Sequence, residues 1–390
     1  MRRGGLPAFL LVAPLLALLV LSFALPVGRM LWTAFADPEL SDALPETAAT
    51  LRDWDGDGLP PDAAFAHLAR ELGAALAEQR IGLVAQRLNF EEPGLRALLL
   101  RTARAAEDLR ADPRGGLVAL DARWGDGATW RLLKGASGPV TALYLLRAVD
   151  LRLSPDGIAN MPADEAIFRT LFLRTLWISL VVTLLCVVLA YPVAATLAAL
   201  PERLAGYGLV LVLVPFWTSV LVRTTAWFVL LQREGPLNAA GIALGLFEHP
   251  LQMIGTRFAV ILAMVHVLLP FAILPAYAVM KRLDPALPKA AASLGAGPVS
   301  RFLRVHLPLS FPGVAAGGAM VFLLAVGYYI TPALVGGPRD QMVAYFVAFF
   351  INQTPNWGMA AALSLLLLAM TGATALLVRA VLPGFGGGRA

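Results

Sequence analysis

The sequence predicts an all-α membrane protein: six transmembrane helices, with a helical periplasmic insertion between the first and the second. Three observations predict it. The chain of 390 residues is 58% hydrophobic and 15% charged, against about 25% charged in soluble domains, and its mean hydropathy is +0.71. Six stretches reach the roughly 20 apolar residues that cross a hydrocarbon core. They are Leu6 to Gly28, Thr175 to Leu200, Leu204 to Val222, Phe258 to Met280, Leu307 to Pro338 and Trp357 to Val378. Basic residues in the short connections then fall mostly on one side.

The first stretch follows Arg2 and Arg3, and Ala34-Phe35-Ala36 has the form of a signal-peptide cleavage site. Its apolar run exceeds the about 7–15 residues of a signal-peptide core, so a retained span is expected. From Asp37 to Asp164 the chain turns rich in Asp, Glu, Arg and Ala. Apolar residues recur there at helical spacing in Asp62 to Arg80 and Leu95 to Arg110. Breaks are expected at Asp55–Pro61 and Asp112–Gly116. The expected organisation is an N-terminal span in residues 1–36, the insertion in 37–168 and a five-helix core in 169–390.

The net charge of +5 comes almost wholly from arginine, with Lys134, Lys281 and Lys289 the only lysines. A basic balance can mark a nucleic-acid binder; in a membrane chain it marks cytoplasmic loops. Arg2, Arg3, Arg203, Lys281, Arg282, Lys289, Arg301, Arg304, Arg379 and Arg389 share one side, opposite Arg233, Arg257 and Arg339. Both termini are therefore expected in the cytoplasm and the insertion in the periplasm. Cys186 is the only cysteine. It excludes an intrachain disulfide and reads as a small buried or lipid-facing hydrophobe.

The basic loop of residues 281–308 is the most informative segment. Asp284-Pro285 is a helix start, a capping carboxylate followed by proline at the first helical position. Gly295 suits a left-handed C-terminal cap, and Gly297-Pro298 opens a second short helix. Arg301 and Arg304, three apart, are expected to share a face of it, and Pro308 to end it. This segment resembles the cytoplasmic loop of ABC-importer permeases, whose pattern is Glu-Ala-Ala-x-x-x-Gly and, after nine intervening residues, Ile/Val-x-Leu-Pro. Ala290, Ala291, Gly295, Val305, Leu307 and Pro308 match it, and Lys289 stands where the family has glutamate. The resemblance implies a rigid knob that docks in a groove of an ATPase subunit.

Further motifs, in order, resemble the spermidine/putrescine-type permeases from about Arg169 to the end. They are Arg174-Thr-Leu-Trp-Ile-Ser, Ala190-Tyr-Pro, Pro215-Phe-Trp-Thr-Ser, Val222-Arg-Thr, Arg233-Glu-Gly, Thr331-Pro-Ala-Leu-Val-Gly-Gly-Pro-Arg-Asp340 and Asn356-Trp-Gly. This likeness implies a permease subunit in the bacterial inner membrane, without cofactor, importing a polyamine or related amino compound. It also implies a second homologous permease subunit, two ABC ATPase subunits and a periplasmic solute-binding protein as partners.

Ionisable residues inside spans are functional candidates. Arg223 interrupts the third span and His266 the fourth; a histidine there more often bonds a neighbouring helix. Trp217, Trp227, Tyr328 and Tyr329 offer aromatic faces to a cation, or pack the bundle and its interfaces. Spans two to six hold no acidic residue. Gly313-Val-Ala-Ala-Gly317 permits close helix approach. Asp53-Trp-Asp55-Gly-Asp57-Gly58 looks like the start of a calcium loop, but Ala64 replaces its final glutamate; an acidic turn is the plainer reading. No phosphate-binding loop or hydrolase motif occurs, so an energy-coupling partner is expected. An ion-coupled secondary transporter, the alternative, predicts inverted repeats and intramembrane acids, neither of which is evident.

Overall fold

A computed structural model describes residues 5–154 and 157–381. Arg2, Arg3 and Arg389 lie outside the described residues, as does the side chain of Arg379. Among the described residues, five helices are long and apolar enough to cross a membrane: Val12–Trp32, Phe168–Ala199, Arg257–Met280, Pro298–Val326 and Trp357–Leu377. A bent pair, Glu202–Trp217 and Val220–Leu230, makes six when counted as one span. The chain divides into two compact units. One holds the residues up to Met161 with Phe350–Ala362, the other Pro162–Phe349 with the residues from Leu363 on.

In the first unit the helical periods become the helices Asp62–Ala77 and Leu95–Arg104, joined by Pro45–Asp53, Ile81–Glu91 and Gly127–Gly135. Their apolar faces enclose Phe65, Leu68, Leu72, Leu88, Leu98, Trp124 and Trp130, all fully or almost fully buried. The Trp130 ring lies 4.5 Å from Phe65 and 5.4 Å from Trp124. Buried indoles need acceptors, and both have them. Trp124 Nε1 donates to Thr102 Oγ1 at 3.0 Å, and Trp130 Nε1 to the Trp124 carbonyl at 2.9 Å.

Two buried charges join distant parts of this unit. The Glu71 carboxylate accepts the backbone N–H groups of Glu46 and Thr47 at 2.8 and 2.9 Å and the Thr47 hydroxyl at 2.7 Å. It therefore caps the first turn of a helix other than its own. Arg87 donates from Nε to Asp37 Oδ1 at 2.8 Å and from Nη2 to the other oxygen. Its Nη1 lies 2.9 Å from Glu91.

The expected break at Asp112–Gly116 is instead a helix start. Asp112 accepts from the Gly115 N–H at 3.0 Å, Pro113 takes the first turn, and the helix runs Pro113–Leu120 through both glycines. Asp55 closes an acidic turn by accepting from the Asp57 N–H at 2.9 Å, with Gly56 and Gly58 at positive φ. An antiparallel hairpin of Leu151–Ser154 and Gly157–Asn160 was not foreseen. Ala34 is buried, and the Phe35 carbonyl accepts from the Thr141 N–H at 2.7 Å, so the Ala34–Ala36 segment is part of this fold.

The second unit is built on three long helices, Phe168–Ala199, Arg257–Met280 and Leu307–Val326. Cys186 is buried among them and its Sγ faces the Val265 carbonyl at 3.7 Å. A Cβ on Gly313 would lie 2.7 Å from the Pro275 carbonyl oxygen, and one on Gly317 2.7 Å from that of Ala272. The two glycines thus let backbones approach more closely than any side chain allows.

The runs read as spans three and five are both interrupted. The third breaks by 92° between Trp217 and Val220. Pro215 removes an N–H, Thr218 and Ser219 are extended, and Ser219 Oγ caps the new helix through the Leu221 N–H. The fifth ends at Val326, and a separate helix covers Ile330–Val335 with Pro332 in its first turn, where no N–H is needed.

Replacing Gly317 by isoleucine is expected to destabilise the helix core by about 1–3 kcal/mol, as overpacking does. The check is a lowered melting temperature in detergent micelles, with alanine at the same position intermediate.

Candidate functional site

The loop that follows the Arg257–Met280 helix folds as a knob. Asp284 Oδ1 accepts from the Ala286 N–H at 2.8 Å and starts the helix Ala286–Ser293. Gly295 ends it at φ +83°. The Gly295 N–H reaches the Ala292 carbonyl and the Ala296 N–H the Ala291 carbonyl, each at 3.0 Å. This paired closure is the Schellman cap, which residues with a Cβ enter only with strain. Lys289, Ala290 and Gly295 are exposed and Ala291 half-buried. Leu294 is 88% exposed and Val299 68%, so the turn presents an apolar tip. Among the described residues Lys289 forms no ion pair.

The second loop helix does not end at Pro308. It starts at Pro298, passes through a π-helical stretch at Phe302–His306 and continues as the Leu307–Val326 helix. The wider turn bonds five residues back, which lets the helix pass a residue that has no N–H. It also alters the expected register of Arg301 and Arg304: Arg301 is half-buried and Arg304 exposed. Val305, Leu307 and Pro308 lie on this continuous rod.

Tyr191 is a contact the sequence did not single out beyond its motif. Its hydroxyl is 3.1 Å from Ser310 Oγ, and its ring meets Phe302 edge-on at 5.7 Å and His306 at 6.2 Å. The knob's rod is thereby held against the Phe168–Ala199 helix by a ring and a hydrogen bond. A tyrosine next to a proline, Tyr191-Pro192, facing an aromatic-basic stretch was the available signal.

Of the six candidate pathway residues, the structure brings four together. Arg223 and Trp227, one turn apart on Val220–Leu230, are both half-buried. Trp227 Nε1 donates to His266 Nδ1 at 3.0 Å, so the histidine does bond a neighbouring helix. Arg223 lies within electrostatic range of both His266 and Tyr328. Beside them the hydroxyls of Thr224 and Thr331 meet at 3.1 Å. Trp217, at the break of the third span, is 77% exposed and stands outside this cluster; Tyr329 is 43% exposed.

A second polar group was missed because its members lie far apart in sequence. Arg257 Nε donates to Asp340 Oδ1 at 3.1 Å, and its guanidinium lies 5.4 Å from the centre of the Trp177 ring. Arg174 donates to the Gln341 carbonyl at 3.2 Å. Asp340 is buried, and its other oxygen accepts from the Gly337 N–H at 3.4 Å. Removing the guanidinium takes away the cation that is hydrogen-bonded to that carboxylate and leaves Arg174 as the more distant one. Arg257→Ala is expected to cost about 1–3 kcal/mol. Thermal melting checks it, and the double change with Asp340→Asn should recover part of the loss.

No family model matches the chain. Over 208 residues it is 35% identical to the spermidine/putrescine transport system permease protein PotB of Salmonella typhimurium (strain SL1344), a match covering 53% of this chain and 72% of that one. The PotB protein of Escherichia coli (strain K12) is 34% identical over 208 residues, 53% of this chain and 76% of its own. The inner membrane ABC transporter permease protein YdcU of the same organism is 35% identical over 214 residues, 50% and 66% of the two chains. A chain in the crystal structure of a bacterial alginate ABC transporter, in complex with an alginate pentasaccharide-bound periplasmic protein, superposes with a TM-score of 0.47 at 16% identity, over 57% of this chain and 80% of that one. With relatives of this identity covered over more than two thirds of their length, the chain belongs to the ABC-transporter inner-membrane permease subunits of the spermidine/putrescine type.

Proposed function

We propose that this chain is the pathway-forming subunit of a binding-protein-dependent importer of a polyamine or related amino compound. It is a non-catalytic subunit, and ATP hydrolysis belongs to a partner ATPase. It pairs with a second, homologous permease; two ATPase subunits dock on the cytoplasmic side, and a periplasmic binding protein delivers the solute. Both termini then lie in the cytoplasm and residues 37–168 form a periplasmic domain, as the excess of arginine and lysine in the short loops supports.

The observation that carries this reading is the knob. A short helix ended by Gly295 at φ +83° exposes Leu294 and Val299 at the tip of the loop that resembles the family's ATPase-docking loop. Lys289, Ala290, Ala291 and Gly295 form its first half, and Arg301, Arg304, Leu307 and Pro308 lie on the rod that leads into the helix core. A rigid knob on a rigid rod moves as one body, so closure of an ATPase groove around it turns into displacement of a long helix. The solute then passes the Arg223, Trp227, His266 and Tyr328 cluster. Aromatic faces are the feature there that attracts a cation, since spans two to six carry no carboxylate.

Gly295→Asp puts a side chain and a negative charge into a left-handed turn at the docking tip. It is expected to reduce ATP-dependent uptake to background with the protein still at its normal level in the membrane. Uptake at the parent rate would remove the docking role. Affinity purification of the tagged chain from its native membrane, followed by mass spectrometry, is expected to recover an ABC ATPase and a second permease. A chain that purifies alone, with uptake insensitive to ATP depletion, would overturn the importer reading.

A further inference from the structure

The Val220–Leu230 helix of the second unit has two unlike faces. On one, Leu221, Val222 and Val229 are exposed and line an apolar groove with Thr225 and Ala226. On the other, Arg223, Thr224 and Trp227 recur at three- and four-residue spacing. Thr224 is buried there and its hydroxyl meets that of Thr331, while Trp227 bonds His266. The helix therefore turns its single charge towards the bundle and away from the apolar groove. The depth of this face follows from its partner. His266 lies nine residues inside the end of the Arg257–Met280 helix, about 14 Å along the axis. A hydrocarbon core is about 30 Å thick, so the Trp227–His266 bond sits deep within it, well below the level of lipid headgroups.

The polar groups gathered here are donors without an acceptor. The Arg223 guanidinium makes no hydrogen bond or ion pair with any described residue; its Nε is buried, and its two Nη groups remain accessible. A charge in such surroundings is costly until something pairs with it. An indole N–H can only donate, so His266 Nδ1 accepts from Trp227 at 3.0 Å and the proton of the neutral ring is on Nε2. His266 is exposed, and among the described residues its Nε2 has no partner. Arg223 and His266 lie within electrostatic range of one another, and the stretches read as spans two to six supply no carboxylate. An accessible guanidinium beside a second N–H donor complements one kind of group: a planar anion such as a carboxylate, whose two oxygens accept parallel bonds from the guanidinium fork.

We propose that the Arg223 Nη groups and the His266 Nε2–H bind the carboxylate of the transported solute, which is then an aliphatic amino carboxylate and not a plain polyamine. The proposal rests on the reading of this chain as the pathway-forming subunit and narrows its substrate class. Like charges decide between the two solutes. A polyamine brings only ammonium groups to an unpaired guanidinium, and in a medium of low dielectric their repulsion is large. An amino carboxylate pairs with that guanidinium instead and has no net charge of its own. Several methylenes between its ends keep its ammonium clear of Arg223 and leave it to the aromatic faces of the cluster. Arg223 then sets which solutes are accepted, and Trp227 acts through His266 as a positioning residue, since its bond fixes which ring nitrogen carries the proton.

The test is isothermal titration of the affinity-purified chain, with the partners it brings, in lipid nanodiscs and phosphate-free buffer. The titrants are 5-aminopentanoate, 1,5-diaminopentane and inorganic phosphate, the last standing for a lipid headgroup. Saturable binding of 5-aminopentanoate is expected, at least tenfold tighter than that of the diamine or of phosphate. Arg223→Gln is expected to weaken it at least tenfold, and Arg223→Lys, which keeps the charge without the paired donors, by less. The comparison of titrants needs no variant, which keeps the test decisive should Arg223→Gln fail to fold. No saturable binding of 5-aminopentanoate, equal or tighter binding of the diamine, equal or tighter binding of phosphate, or equal binding by a folded Arg223→Gln would each overturn the proposal. The importer reading has its own readouts, the co-purifying ATPase and ATP-dependent uptake, so any of these results leaves it standing.

Discussion

The second unit depends on how closely the Leu307–Val326 helix can lie on Arg257–Met280. Gly313 and Gly317 have no Cβ, and the carbonyl oxygens of Pro275 and Ala272 occupy the space where one would be. In hydrocarbon no hydrophobic effect pushes helices together, so contact depends on how many atoms can touch. A narrow crossing lets the whole lengths of two apolar helices meet. It also makes them a stiff pair. One of them begins in the π-helical rod beneath the knob and ends where the chain breaks at Gly327, so a push at one end reaches the other.

A helix crossing lipid must satisfy every backbone group within itself; Pro215 withholds an N–H beside the break in the third apolar run, and the fifth breaks at Gly327, ahead of Pro332 in the next helix. Both interruptions lie where side chains supply polar contacts instead. Ser219 caps one new helix, and the Thr224 and Thr331 hydroxyls join the two. Arg223 and Trp227 on one restarted helix then come to His266 and Tyr328. A straight third span would have carried Arg223 further along the same axis. The 92° turn is what gives the cluster its members.

The first unit solves a different problem. It is small and rich in charge, yet Asp37, Glu71 and Arg87 are buried. Burying a charge is costly unless partners replace its water. Glu71 gains two N–H groups and a hydroxyl, and Arg87 gains two carboxylates. The Glu39 carboxyl beside them is held protonated further towards neutral pH than an exposed glutamate, first by burial and then by its hydrogen bond to the Asp37 carboxyl.

The sequence by itself determined what is local and periodic. Apolar runs set where helices long enough to span occur, three- and four-residue spacing set Asp62–Ala77 and Leu95–Arg104, and Asp284 with Gly295 set the start and the left-handed end of the knob helix. These depend on neighbours within one turn, so a linear reading reaches them. Local signs failed where two of them competed. Asp112–Gly116 reads as a break, yet Asp112 caps the Pro113–Leu120 helix through the Gly115 N–H. Pro308 reads as a stop until a π turn accommodates it. Tertiary structure alone decided the pairings: Arg257 with Asp340, Trp227 with His266, Tyr191 with Ser310, and Arg87 with Asp37. Each joins residues far apart in the chain, and a side chain's partner is fixed by which helix faces come together, a property no stretch of sequence carries.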